Sequence, residues 1–366
     1  MKISEITQAI ESVAPLRYQE SYDNCGLQIG DATGDATGVL LCLDVTEAIV
    51  EEAIERGCNM IVAHHPLIFS GLKRITGRTY VERTVQKAIK NDIAIYAVHT
   101  NLDNMAHGVN ARIAQRLGLQ RTRILSPMQD TLLKLYTYAP VEAAEKVKNA
   151  LFAAGAGQIG KYSECSFGMT GTGTFKPSPD SSPAIGVAGG TRESVNEMKI
   201  EVLVPKHLER AVLTALRESH PYEEVAYELI SLNNTNQEIG AGMIGELPES
   251  VGELDFLNQV KQKMKTACIR HTPLLGKDIK RVAVCGGAGS FLLQDAIREK
   301  ADIFITGDFK YHQFFDADGR IIIADIGHFE SEQFTPEIIE EILTKKFPNF
   351  AILLSGINTN PLQYFC

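Results

Sequence analysis

Seven short runs of aliphatic and β-branched residues recur along the chain, at positions 39–45, 60–64, 93–99, 282–285, 303–306, 321–324 and 351–354, with helical patterns between them. They are continuously apolar and do not alternate, which is the signature of strands buried on both faces. Such strands need helices packed over them. The chain is therefore expected to fold as an α/β layered domain with a mostly parallel or mixed sheet.

Between the third and fourth runs, residues 130–238 differ in character, with glycine concentrated around positions 155–190. Here a pattern repeats: LLKLYTYAP precedes VEAAEKVKNALFAAG, and MKIEVLVP precedes KHLERAVLTALRESH. Each copy is an alternating strand, a proline (Pro140, Pro205) near a helix start, an amphipathic helix, and a further β-like stretch containing Tyr162 or Tyr222. Two β-α-β units make an α+β ferredoxin-like sandwich. A chain of 366 residues is too long for one ordinary core. The expected organisation is an α/β domain of residues 1–129 plus 239–366, interrupted by an insertion domain at 130–238. The Ser/Pro-rich run at 176–183 reads as a mobile loop.

The composition of 44% hydrophobic and 22% charged residues is that of a globular protein, and the formal net charge of −9 offers no basic field for phosphates. That argues against nucleic acid as a partner. The seven cysteines include no C-x-x-C pair, and Cys42 and Cys285 lie inside apolar runs. They read as reduced core thiols in a cytoplasmic protein. Ile3, Ile6, Ile10 and Val13 mark one stripe of an amphipathic helix, unlike a signal peptide, and no run approaches membrane-spanning length.

The second run ends in His64-His65-Pro66. Successive side chains on a strand point to opposite faces, so neighbouring histidines can serve one site only where the strand ends. Pro66 enforces that ending, because it turns His65 from the helical region and cannot continue a ladder. In an open α/β sheet the carboxyl edge is where ligands bind. Taken alone, such a pair is more simply one buried histidine bonded to a carbonyl and one solvated neighbour.

Two further strand ends supply company. The third run closes with His99-Thr100-Asn101-Leu102-Asp103, and the sixth is followed by Ile326-Gly327-His328-Phe329-Glu330-Ser331-Glu332. With a helix starting near His328, His328 and Glu332 share one face at i and i+4, while Glu330 is expected to point to solvent. Alone, that spacing would read as a surface ion pair. Together, His64, His65, Asp103, His328 and Glu332 form an imidazole and carboxylate set suited to zinc, iron, manganese or cobalt. Five ligands exceed what one catalytic ion usually takes, so two divalent ions bridged by carboxylates are expected.

A second candidate is Cys285-Gly286-Gly287-Ala288-Gly289-Ser290, between a strand and a helix expected over 291–300. Its glycines and Ser290 could expose backbone N–H groups to a phosphate, or simply make a tight turn. It is neither a Walker sequence nor a full dinucleotide fingerprint, which favours the turn. Asp308, in Thr306-Gly307-Asp308, sits with Tyr311 and His312 at the next strand end, where these residues either line the cleft or cap a helix.

The stretch Tyr22-Asp23-Asn24-Cys25-Gly26-Leu27-Gln28-Ile29-Gly30, followed in order by AHHPLIF, HTNLD, TGD and GHFESE, resembles the Nif-three-like family, the YbgI/YqfO type or GTP cyclohydrolase 1 type 2 homologues. The resemblance spans the chain. Tyr22 stands where that family usually has tryptophan, a change expected to alter packing only. Longer bacterial members are similar in carrying a middle insertion of the PII and CutA type. The resemblance implies a dinuclear centre held by His64, His65, Asp103, His328 and Glu332, and a toroidal homohexamer with its metal sites facing an inner cavity.

Two functions follow from this. The first is a metal-dependent hydrolase acting on a nucleotide, possible GTP cyclohydrolase chemistry, in which hydroxide held by the ions attacks C8 of guanine and opens the imidazole ring. His99 would shuttle the proton, and Gly286, Gly287, Gly289, Ser290, Asp308 and His312 would hold substrate. The alternative is a non-enzymatic metal-binding, metal-delivery or regulatory protein whose insertion senses a small molecule.

Overall fold

The computed structural model describes residues 1–365 and divides into two compact units, Met1–Pro127 with the chain from Gln237 onward, and Met128–Asn236. All seven apolar runs form strands of the first unit.

The first unit holds two sheets where one was expected. A five-stranded sheet runs in the order Gly26–Ile29, Ala94–Ala97, Met60–Ala63, Val39–Cys42, Ile352–Leu354. It is parallel except at Gly26–Ile29, which runs antiparallel to Ala94–Ala97. A six-stranded sheet runs Arg270–His271, Ile322–Asp325, Ile303–Gly307, Ile279–Ala288, Gly240–Val251, Gln120–Pro127, parallel at its centre and antiparallel toward both edges. Apolar runs report that a strand is covered on both faces, not which sheet it joins. That is why the division was not legible.

Alternation along each strand explains the layers. Val39, Leu41, Met60, Val62 and Tyr96 of the first sheet share a core with Val282, Val284, Ile303, Ile305 and Ile322 of the second. Helices Ile3–Glu11, Val109–Leu117, Glu253–Lys263 and Thr335–Lys346 contribute Ile6, Ile113, Phe256 and Ile339 to it. The intervening residues Leu40, Ile61 and Ile95 pack outward on Ile49 and Val85 of helices Glu47–Glu55 and Tyr80–Lys90. In the second sheet Ala283, Phe304 and Ile323 do the same against Leu293 and Ala296. Ile61 is fully buried, and truncating such a side chain to alanine costs about 2–5 kcal/mol.

The second unit is antiparallel throughout, ordered Ser166–Phe175, Glu193–Pro205, Leu132–Pro140, Tyr227–Leu232. Helices Ala144–Ala153 and Glu209–Ser219 supply Val147, Leu151, Val212 and Leu216 to its core. Tyr162 and Tyr222 precede the strands Ser166–Phe175 and Tyr227–Leu232 instead of lying in them. Residues 176–192 form no regular element. Each unit has paired ends at its junction: Pro127 is a ladder partner of Gly240 in the first, and Leu132 of Leu232 in the second.

Candidate metal centre

The strands Val39–Cys42, Met60–Ala63 and Ala94–Ala97 end level, since Cys42 pairs with Ala63 and Ala63 with Ala97. Beyond that shared edge come Asp44, His64 and His65, and His99, followed by Asp103 at the end of the helical turn Thr100–Asp103. In the second sheet Asp308 follows Ile303–Gly307, and the short helix His328–Glu332 follows Ile322–Asp325. Residues from five loops thus meet. One ligand atom from each member lies within 4.8 Å of the others in three groups: His64, His65 and His99; His65, His328 and Glu332; His64, Asp103 and Glu332. Each group could hold a metal ion.

The four imidazoles are oriented by one device. His64 donates its Nδ1–H to the Val98 carbonyl at 2.9 Å. His65 donates to Asp44 Oδ1 at 2.7 Å, His99 to Asp23 Oδ1 at 2.9 Å, and His328 to Asp308 Oδ2 at 2.7 Å. Because each acceptor is a carbonyl or carboxylate oxygen, every Nδ1 carries the proton, and the Nε2 atoms of His64, His65 and His328 face Glu332. Metal-binding histidines are typically fixed in tautomer and rotation by such partners. The orienters are themselves held: Asp23 accepts from the Thr100 hydroxyl and amide, and Asp44 Oδ2 from the Thr359 hydroxyl at 2.7 Å.

Inside the cluster, Glu332 Oε2 lies 3.0 Å from both His65 Nε2 and His328 Nε2. His64 Nε2 is 3.7 Å from both Asp103 Oδ1 and Glu332 Oε1, too far for a hydrogen bond. Neither His64 Nε2 nor Asp103 Oδ1 has a hydrogen-bond partner, although both atoms are buried. Burial pushes Asp103 well above the usual carboxylate range, reinforced by the Glu332 charge. Burial would do the same to Glu332, but the facing imidazoles of His328, His64 and His65 hold it well below. Burial lowers His64 to about 4. It opposes the charge on His65 and His328 as well, yet Asp44 with Glu332 raises the first to about 9 and Asp308 with Glu332 raises the second to about 11. Burial also pushes the Cys285 thiol far up, so no thiolate competes for a cation here.

The Gly286 to Ser290 segment makes a tight turn between strand and helix, the favoured of its two readings. The Gly286 amide donates to Asn110 Oδ1 at 3.0 Å, Gly287 to Ser331 Oγ at 2.8 Å and Gly289 to Thr306 Oγ1 at 3.0 Å. Ser290 Oγ accepts from Gln313 at 3.0 Å. With these three amides committed inside the protein, none is free for a phosphate. The expected helix over 291–300 is shorter, Leu293–Arg298 after a 3-10 turn at Ser290–Leu292. Gly287 has φ of +60°, and a Cβ there would lie 2.4 Å from Glu332 Oε1. The glycine gives Glu332 its place.

Asp308 orients His328 instead of facing a cleft. His312 is exposed on the 3-10 turn Tyr311–Ala317, with its ring 5.2 Å from that of Tyr311, and it does not line the cavity over the cluster. Glu330, expected in solvent, is buried. Tyr22 lines the cavity and is 64% exposed, so its exchange for tryptophan changes the cavity wall and not core packing. That cavity measures about 200 Å³ and includes His99, Asp103, His328, Glu332 and Phe291. Sequence reasoning passed over Asp23, Asp44 and the Val98 carbonyl. Asp44 did leave a signal, a carboxylate two residues past a buried strand at the edge that carries His64.

The sequence model of the Duf34/NIF3 (NGG1p interacting factor 3) family matches residues 1–361. A Bacillus subtilis protein named GTP cyclohydrolase 1 type 2 homolog is 39% identical over 367 residues, covering 98% of both chains. A Halalkalibacterium halodurans protein of the same name is 40% identical and covered in full. The crystal structure of a Bacillus cereus protein related to NIF3 superposes with a TM-score of 0.88 at 39% identity, covering 100% of this chain and 99% of that one.

Proposed function

The chain belongs to the Duf34/NIF3 family, and we propose that it is a metal-dependent hydrolase acting on a nucleotide, with two divalent ions held by His64, His65, Asp103, His328 and Glu332. The observation that carries this reading is four histidines, each anchored through Nδ1, gathered beside Asp103 and Glu332, with the Nε2 atoms of His64, His65 and His328 facing Glu332. A cation fits the residues present: His64 Nε2 and Asp103 Oδ1 are buried without partners, and the donor set is nitrogen and oxygen only, as zinc, iron, manganese or cobalt accept. Bound there, divalent ions would supply Lewis acidity and activate water at neutral pH.

The chain's own residues do the rest. Asp44, Asp23, Asp308 and the Val98 carbonyl keep the imidazoles from rotating. His99, fixed by Asp23, lines the cavity and can carry a proton between substrate and solvent. A volume of about 200 Å³ is below the 300 Å³ or so of ordinary ligand pockets, so only the reacting end of a substrate would enter. The relatives' printed name points to GTP, whose guanine imidazole ring would be opened by water with loss of formate. Metal-reconstituted protein should be assayed against a panel of nucleotides with product identity and formate measured. Absence of turnover throughout would remove the hydrolase reading.

A second reading is a metal-binding regulatory or delivery protein whose second unit senses a small molecule. It is favoured by a cavity of about 520 Å³ in that unit, lined by Tyr138, Phe175, Glu197 and Tyr222, within the usual range for ligand pockets. The element order β-α-β-β-α-β and the antiparallel sheet support a ferredoxin-like, PII/CutA-like module there. The homohexamer belongs to the same proposal, supported by family membership, and its mass in solution by light scattering tests it. No helix among the described residues is long and apolar enough to cross a membrane.

A further inference from the structure

The two halves of the candidate centre ride on different sheets. His64, His65, His99 and Asp103 follow strands of the first, while His328 and Glu332 follow a strand of the second. One irregular segment touches the supports of both halves. After strand Ile352–Leu354, which pairs in parallel with Val39–Cys42, the Ser355 amide donates to the Leu41 carbonyl at 2.9 Å and the chain runs on past the carboxyl edge.

There, Thr359 donates its hydroxyl to Asp44 Oδ2 at 2.7 Å, while the other oxygen of Asp44 holds His65. The next residue reaches the opposite half. Asn360 Nδ2 donates to Glu330 Oε1 at 3.1 Å, and Glu330 is buried in the helix His328–Glu332, two positions from each candidate ligand. The orientation of the Asn360 amide is fixed, because its Oδ1 accepts the Leu362 amide at 3.0 Å and so turns Nδ2 toward Glu330. Asn358 in turn accepts the Asn360 amide at 2.9 Å. Local turns of this Asx kind hold an irregular chain in one shape.

We propose that residues 355–362 form a strap that sets the two ligand-bearing sheets in register, with Thr359 and Asn360 as positioning residues for the metal centre. Thr359 acts through Asp44 on the rotation of His65, and Asn360 acts through Glu330 on the helix that carries His328 and Glu332. The proposal rests on the metal reading given above. It goes beyond that reading by making metal affinity depend on side chains that touch neither ion nor substrate.

The test is zinc affinity of the metal-stripped full chain, measured by competition with a chromophoric chelator, beside thermal unfolding of the metal-free protein. Partners that orient ligands are worth roughly 10–100-fold in affinity, and Thr359 acts one contact further out, so Thr359→Val should weaken zinc binding about tenfold. Thr359→Ser, which keeps the hydroxyl, should bind as the wild type does. Asn360→Leu should weaken binding independently. Metal-free unfolding temperatures of the Thr359 variants should match the wild type. Equal affinity of Thr359→Val and wild type overturns the strap, as does a Thr359→Ser variant as weak as Thr359→Val. Metal-free destabilisation of Thr359→Val in step with its affinity loss assigns the hydroxyl to the fold and overturns it too. A wild-type chain that binds no zinc overturns the metal reading itself, which keeps the two failures apart.

Discussion

The Nε2 atoms of His65 and His328 lie 3.2 Å apart, and both face the same oxygen of Glu332. Asp44 with Glu332 raises His65 to about 9, and Asp308 with Glu332 raises His328 to about 11. Both rings are then cationic at neutral pH and neutralise Glu332. A divalent cation can take that position only by displacing their protons.

Metal loading near pH 7.5 should therefore release close to two protons per chain from this pair, and affinity should rise as pH approaches 9. Calorimetry in buffers of different ionisation heat reads the release directly. In the metal-free chain the sign is opposite. Raised folded-state values mean that the stability these histidines contribute is full below their unfolded value of about 6.5 and is lost as pH climbs through about 9 for His65 and about 11 for His328. Loading heats that do not depend on the buffer would refute the protonated pair.

Reconstituted protein should contain two ions per chain by elemental analysis, and His64→Ala should lose at least one. His64 is the natural variant to choose, because its Nε2 is buried beside Asp103 and Glu332 with no hydrogen-bond partner to give up. One ion per chain in both proteins would eliminate the dinuclear arrangement.

Glu332→Gln keeps the side chain's volume and removes the charge that two groups of candidate ligands share. Occupancy of one ion should fall, with turnover, where present, dropping by orders of magnitude. Metal content, unfolding temperature and nucleotide turnover should be measured on one preparation. Unchanged occupancy would take Glu332 out of the centre.

Gly287→Ala separates backbone strain from steric displacement of Glu332. Both Gly287 and Gly276 have positive φ, +60° and +70°, but only at Gly287 would a Cβ press on the Glu332 carboxylate. Gly276→Ala should lose about 1–2 kcal/mol of stability and bind metal normally. Gly287→Ala should lose that much and its metal as well, so intact metal binding in Gly287→Ala would contradict the packing role.

Replacing residues 128–236 with a short flexible linker should leave the remaining α/β unit folded and metal-loaded. Pro127 and Gly240 are already ladder partners, so a hairpin-length connection can join them. Circular dichroism and metal analysis of the shortened chain decide the point, with insoluble or metal-free product counting against an independent insertion.

His64, His65, Asp103, His328 and Glu332 could be read from the sequence because each closes or follows a buried strand, where chain direction alone brings side chains to one edge. Their supports could not. Asp23 and Thr359 come from irregular segments far away in sequence, and only the fold shows which oxygen meets which Nδ1. The glycines of the 286–289 turn left two readings open for the opposite reason: a glycine-rich strand-to-helix turn looks alike whether its amides await a ligand or are already bonded to Asn110, Ser331 and Thr306. Glu330 misled because helical periodicity assigns a face without saying what lies over it, and here Asn360 does.

The paired ends of the two units also bear on how the chain finds its structure. For the host hairpin between Gln120–Pro127 and Gly240–Val251, an unfolded insert is a loop of roughly a hundred residues, but a folded one with Leu132 beside Leu232 is a connection of about ten. At about 0.6 kcal/mol per doubling of loop length, that shortening spares the hairpin about 2 kcal/mol of closure entropy. The insert thus lends its host stability through the chain's connectivity alone, and an insert that melts first would withdraw it.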